Sequence, residues 1–188
     1  MWLTFAVLLM TLWSMPGCGA PQEDLSSQAV SQPPRVRFGN LDRSTLRSTV
    51  VDLNGDGEAD QWSWISGSGT LFMVERDLDF DGTSDMFEYF EGNTVVEQEF
   101  QLDFDRAIDM VAYYANGQMV RKEMSTTFDG QFTLRKFYDG SGQLIRVERD
   151  ADSDGRVDAW EFYIAGVLSQ VAYDDDGDGQ PDNLSSVE

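Results

Sequence analysis

Residues 150–173 read Asp-Ala-Asp-Ser-Asp-Gly-Arg-Val-Asp-Ala-Trp-Glu-Phe-Tyr-Ile-Ala-Gly-Val-Leu-Ser-Gln-Val-Ala-Tyr, one acidic loop and one alternating hairpin in 24 residues. An acidic loop, Asp150 to Asp158, turns at Gly155. The alternating segment Ala159-Trp160-Glu161-Phe162-Tyr163 follows, then a tight turn at Ala165-Gly166 and a second extended segment. Period-two alternation, aromatic and β-branched content and a glycine turn together predict a β-hairpin.

The unit recurs along the chain. Asp52-Leu-Asn54-Gly-Asp56-Gly57-Glu58-Ala-Asp60 returns as Asp77-Leu-Asp79-Phe-Asp81-Gly82-Thr83-Ser-Asp85. It returns again as Asp150-Ala-Asp152-Ser-Asp154-Gly155-Arg156-Val-Asp158 and as Asp174-Asp-Asp176-Gly-Asp178-Gly179-Gln180-Pro-Asp182. Two eroded copies begin at Gln101, which keeps Asp103, Asp105 and Asp109, and at Ser125, which keeps Asp129 and Gly130. Starts at 52, 77, 101, 125, 150 and 174 lie 25, 24, 24, 25 and 24 residues apart. Such a fixed period marks a repeat architecture.

The expected fold is all-β: tandem antiparallel β-hairpin repeats, as a meander or a solenoid, with the acidic loops at one edge. Five complete units plus a lead-in strand from Ser44 to Val51 predict about eleven strands. The pairs Trp62/Trp64, Phe87/Tyr89, Val111/Tyr113 and Trp160/Phe162 should stack on one face as the core, with Ser63, Glu88, Ala112 and Glu161 on the other.

The loop D-x-[DN]-x-D-G-x-x-D between strands is similar to the calcium loops of integrin-type propeller blades and of thrombospondin type 3 repeats. The Phe-Tyr-x-x-Gly hairpins look like the YD- or MORN-type repeats of bacterial surface proteins. Asp150 to Glu161 also fits the twelve-residue EF-hand loop, which implies helical flanks as an alternative. Two features oppose it: the twelfth position is Ser63 and Ser185 in two other loops, and the flanks are short and β-rich.

The chemistry of these loops points to calcium, Ca2+. A hard cation takes six to eight oxygens at about 2.3–2.6 Å. Acids at loop positions 1, 3 and 5 surround one point, glycine at 6 permits the reversal, the carbonyl at 7 adds a neutral oxygen, and the acid at 9 closes the cage. The expected ligands are therefore Asp52, Asn54, Asp56, Glu58 and Asp60; Asp77, Asp79, Asp81, Thr83 and Asp85; Asp150, Asp152, Asp154, Arg156 and Asp158; and Asp174, Asp176, Asp178, Gln180 and Asp182. The copies at 101 and 125 are expected to be empty, because Arg106 stands at the glycine position of one and the other lacks most of its acids.

Composition narrows the function. The chain of 188 residues carries 34 acidic and 13 basic side chains, a formal charge of −21, and no histidine. Such a field repels nucleic acid, and without histidine there is no Ser-His-Asp or Cys-His catalysis. The lone Cys18 excludes an internal disulfide.

Trp2 to Trp13 is an uncharged apolar run too short to span a membrane but of signal-peptide length. It ends at Ser14-Met15-Pro16-Gly17-Cys18, which resembles the lipobox of bacterial lipoproteins. The resemblance implies cleavage after residue 17, a lipid on Cys18 and, from Gly19, an outer-membrane or cell-surface location. Residues 18–40, rich in Ser, Gln and Pro, read as a tether, and 41–188 as the repeat domain. The expectation is a non-enzymatic, calcium-binding, surface-anchored module with a structural or adhesion-like role. Its partners would be the membrane and possible protein or polysaccharide surfaces; the enzymatic alternative is a carboxylate-dependent glycosidase.

Overall fold

A computed structural model describes residues 42–187. The expected signal peptide, Cys18 and tether lie outside the described residues. The twelve strands are β1 (Arg47–Val51), β2 (Gln61–Ile65), β3 (Leu71–Arg76), β4 (Met86–Glu91), β5 (Thr94–Phe100), β6 (Met110–Ala115), β7 (Gln118–Met124), β8 (Leu134–Tyr138), β9 (Leu144–Arg149), β10 (Ala159–Ile164), β11 (Val167–Tyr173) and β12 (Asn183–Ser186). They form one antiparallel sheet in chain order, an open meander. Its helix-free flanks answer the EF-hand alternative at the level of fold: β9 and β10 stand on either side of the 150 loop.

One strand more is present than the repeat count predicts. β12 follows the last acidic loop and pairs with β11, Leu184 opposite Ala172. Acidic loops join each odd strand to the next even one, and short turns join even to odd, so all six loops share one edge of the sheet.

The register aligns the repeats on a common face. One row runs Val50, Trp62, Glu75, Phe87, Glu99, Val111, Glu123, Arg135, Glu148, Trp160, Ala172, Leu184. Two residues along, on the same face, Trp64, Met73, Tyr89, Glu97, Tyr113, Arg121, Phe137, Arg146 and Phe162 form a second row. The expected aromatic pairs do share this face. Between them, however, every odd strand from β3 to β9 contributes a glutamate, and β8 contributes Arg135.

Met73, Phe87, Tyr89 and Val111 are fully buried here, and so are Glu99 and Glu123. The core is therefore mixed. Loop position 8 covers part of it, since Ile108 packs with Met73, Phe87, Tyr89 and Val111, and Val157 packs with Trp160 and Ala172. Buried charges must be paired to be tolerated. Arg121 Nε lies 2.9 Å from Glu123 Oε1, Arg146 Nε lies 3.0 Å from Glu148 Oε1, and Arg121 and Arg146 stack over Tyr113 and Phe137 at 4.1 Å.

Each tight turn is flanked by a register shift at the same repeat position, after Trp64, Tyr89, Tyr113, Phe137 and Phe162. Such bulges bend and twist a sheet locally, and at this spacing they act once per repeat.

Candidate metal loops

Each loop is closed by its own backbone. The amide of position 9 donates to the carbonyl of the residue preceding position 1: Asp60 to Val51, Asp85 to Arg76, Asp109 to Phe100, Thr133 to Met124, Asp158 to Arg149 and Asp182 to Tyr173. The chain between follows one conformation in all six copies. Position 4 has positive φ whether it is Gly55, Phe80, Phe104, Phe128, Ser153 or Gly177, and so does position 6, from Gly57 at 95° to Gly130 at 73°, with Arg106 at 79°. Loss of the acids has not changed the path of the backbone.

That path aims backbone amides at the carboxylates. The position-9 carboxylate accepts from the amide of position 2, Leu53 to Asp60 at 2.6 Å, Leu78 to Asp85 at 2.7 Å and Asp175 to Asp182 at 2.8 Å, with Ala151 to Asp158 alike. Position 1 accepts from the amide of position 6, Gly57 to Asp52, Gly82 to Asp77, Gly155 to Asp150 and Gly179 to Asp174, at 2.6–2.9 Å. Position 3 accepts from position 5, with Asp56 donating to Asn54, Asp81 to Asp79, Asp154 to Asp152 and Asp178 to Asp176.

Position 5 accepts in turn from the amide of position 7. Glu58 donates to Asp56, Thr83 to Asp81, Arg156 to Asp154 and Gln180 to Asp178, at 2.7–2.8 Å. These hydrogen bonds orient the carboxylates and leave other lone pairs free.

Three of the four intact loops bring carboxylate oxygens of positions 1, 3 and 9 within 4.8 Å of one another: Asp77, Asp79 and Asp85; Asp150, Asp152 and Asp158; Asp174, Asp176 and Asp182. Like charges at that separation repel in the absence of a cation. In the 150 loop, Asp150 is 7% exposed and its Oδ1 is buried with no hydrogen-bond partner. Burial pushes the Asp85 carboxyl above its ordinary value against the Leu78 N–H that lowers it, and the charges of Asp79 and Asp77 add to the rise.

The 52 loop differs. Asn54 replaces the third acid, and its amide donates to Asp56 Oδ2 at 2.9 Å. Among the described residues, Asp52, Asp56 and Asp60 do not form such a triplet of acids, while the 101 loop, expected empty, does so through Asp103, Asp105 and Asp109. Counting first-position acids and sixth-position glycines hides that cluster. The 125 loop is closed internally, by Ser125 with Asp129 at 3.1 Å and Thr126 with Thr133 at 2.8 Å.

Two glutamates outside the loops are engaged in the sheet. Glu88 pairs with Arg76 and accepts from Gln98, and Glu161 pairs with Arg149 and accepts from Tyr163. Glu161 and Glu88, the twelfth residues of the EF-hand fit, thus bond across strands.

The sequence matches no family and no curated protein. Among solved structures, the chain is similar to that of accessory secretory proteins 1, 2 and 3 of Streptococcus pneumoniae, at 15% identity and a TM-score of 0.44, over 65% of this chain and 22% of that one. It is also similar to the GtfA/B complex bound to UDP and GlcNAc, at 11% identity and a TM-score of 0.34, over 87% of this chain and 29% of that one. A third is a mutant of S. aureus TarM in complex with Fondaparinux, alpha-GlcNAc-glycerol and UDP, at 11% identity and a TM-score of 0.29, over 67% and 21%. The chain thus spans between about a fifth and a third of the length of these proteins.

Proposed function

We propose that this chain is a calcium-stabilised β-repeat module without enzymatic activity, held at a bacterial surface through a lipid on Cys18 and serving as a structural or interaction element. The observation that carries the calcium reading is the triplet Asp150, Asp152 and Asp158, where one oxygen of a carboxylate 7% exposed lacks any donor. An oxygen-only, anionic cluster suits a hard divalent ion. Calcium is preferred to magnesium because magnesium holds its waters and rarely enters an all-protein cage.

The non-enzymatic reading draws support from the pairing of Glu88 and Glu161 with arginines of neighbouring strands, and of Glu123 and Glu148 with arginines two residues away on their own strands, which gives each a structural role. The interaction role draws support from the loop edge, where Leu53, Leu78, Phe80, Leu102, Phe104 and Phe128 are 38–57% exposed at repeating positions. Exposed apolar side chains repeated along one edge of an acidic protein suit a surface for contact.

The test is thermal melting and calcium titration of the full chain, with EDTA as the reference. A melting temperature that rises with free calcium, and several ions bound per chain, support the module. A melting curve that ignores calcium, with no heat of binding, overturns it.

A further inference from the structure

We infer that the 101 loop is an additional divalent-cation site, built from Gln101, Asp103, Asp105 and Asp109. The inference rests on the calcium reading of the intact loops and extends it to a copy whose sequence departs from their pattern.

Oxygens of Asp103, Asp105 and Asp109 lie within 4.8 Å of one another. Two further facts concern atoms rather than charges. Asp109 is fully buried; its Oδ2 accepts from the Leu102 amide at 2.8 Å, and its Oδ1 is buried with no partner. Gln101, 2% exposed, stands at position 1, where the intact loops carry aspartate. Its amide nitrogen donates to the Ser84 carbonyl at 3.2 Å, and its Oε1 is likewise buried without a donor. A buried oxygen left without a partner is destabilising, more so when charged. The unpartnered Asp109 oxygen belongs to the converging cluster and calls for an electrophile, which a divalent cation among the three carboxylates supplies, and Gln101 Oε1 at position 1 is a buried acceptor still unused.

Arg106 does not forbid the site. It is exposed, and it holds φ 79° where Gly82 holds 87° in the loop before, so the backbone reversal that glycine normally provides is made without it. The 125 loop is the internal contrast. Its single acid, Asp129, already accepts from the Ser125 hydroxyl at 3.1 Å and from the Gln131 amide at 2.9 Å. Three carboxylates and a neutral amide oxygen carry one charge fewer than the four acids of the 77 loop, so the 101 site binds more weakly.

The experiment is equilibrium dialysis of the full chain against calcium up to 10 mM, comparing wild type with Asp103→Asn/Asp105→Asn. Both side chains are exposed, so the variant keeps the fold, which its circular dichroism verifies. The expected result is one ion fewer per chain at saturation, with the intact loops still filled. An unchanged count overturns the inference while leaving the calcium reading of the other loops intact. Wild-type protein that takes up no calcium overturns both.

Discussion

The amide of Asp77 donates to the carbonyl of Asp60 at 2.8 Å, joining the first residue of one acidic loop to the last residue of the loop before it. The same bond recurs from Gln101 to Asp85, Ser125 to Asp109, Asp150 to Thr133 and Asp174 to Asp158. The six loops are therefore one continuous strip along the sheet edge. Arg156 strengthens the last junction by donating to the Gly177 carbonyl. A residue that orients a ligand in one loop is thus bonded through its backbone to the next.

This strip predicts coupled calcium binding. A site held at ten times its dissociation constant contributes about 1.4 kcal/mol to folding by linkage. In a domain of this size that is about 3–6 °C of melting temperature per occupied loop. Asp85→Ala should remove more than its own site's share, because the Leu78 amide loses its acceptor and the backbone so loosened carries the carbonyl that holds the Gln101 amide. Calcium titration of this variant should show weakened binding in the 101 loop as well as loss in the 77 loop. A loss confined to one ion, with the rest unaltered, would mean that the loops are independent.

Position 4 of the loops makes a second prediction. Phe104 holds φ 63° and Phe80 64°, a left-handed conformation that costs a residue with a side chain about 1–2 kcal/mol. Phe104 is 46% exposed, so its ring recovers only part of that by packing. Phe104→Gly should raise the melting temperature by a few degrees, and Gly82→Ala at φ 87° should lower it by a comparable amount. If Phe104→Gly destabilises, the ring packs more favourably than its exposure implies.

The sequence made the loops and the strand alternation legible because both recur at a fixed period and each follows a local rule. Trp62, Phe87, Val111 and Trp160 fall on one face from alternation alone. The interleaved row of Glu75, Glu99, Glu123, Arg135 and Glu148 was not legible, because which strand residue sits opposite which depends on register, and register is set by turns and bulges. The last strand, Asn183–Ser186, is polar and short and carries no alternating signal; it is a strand because the 174 loop delivers it to the edge of β11. The 101 cluster escaped for a related reason: convergence follows the backbone, and the backbone kept its path after Gly gave way to Arg106.

The middle of the sheet yields a third prediction. Arg135, 5% exposed, stands between Glu123 and Glu148 in the cross-strand row, with its Nη1 4.0 Å from Glu148 Oε2. Arg135→Met leaves two buried carboxylates short of countercharge and should cost about 3–5 kcal/mol in urea unfolding. Replacing Glu123, Arg135 and Glu148 together by apolar residues of similar volume should be neutral or stabilising by about 1–4 kcal/mol. A triple variant less stable than Arg135→Met would mean that the charged row contributes net stability.

Glu123 gives the pH dependence. Its side chain is fully buried; Arg121 lies beside it in a geometry that makes no hydrogen bond, so both carboxylate oxygens lack a donor. Burial pushes the carboxyl above its ordinary value, more than Arg121 and Arg135 lower it, and Glu148 adds to the rise. The folded state therefore holds this proton more tightly than the unfolded chain does. Its contribution to stability is full below the ordinary glutamate range and is lost as pH rises through the raised folded value. Glu123→Gln, which imitates the protonated form, should be more stable than wild type at pH 7, with the difference shrinking as pH falls through the carboxylate range. Urea unfolding in EDTA from pH 4 to 8 checks it, since the acidic loops are common to both proteins and cancel in the difference. A gap that is constant with pH would mean that folding leaves the proton affinity of Glu123 unchanged, and a wild type that gains on the variant as pH rises would mean that the fold prefers the ionised form.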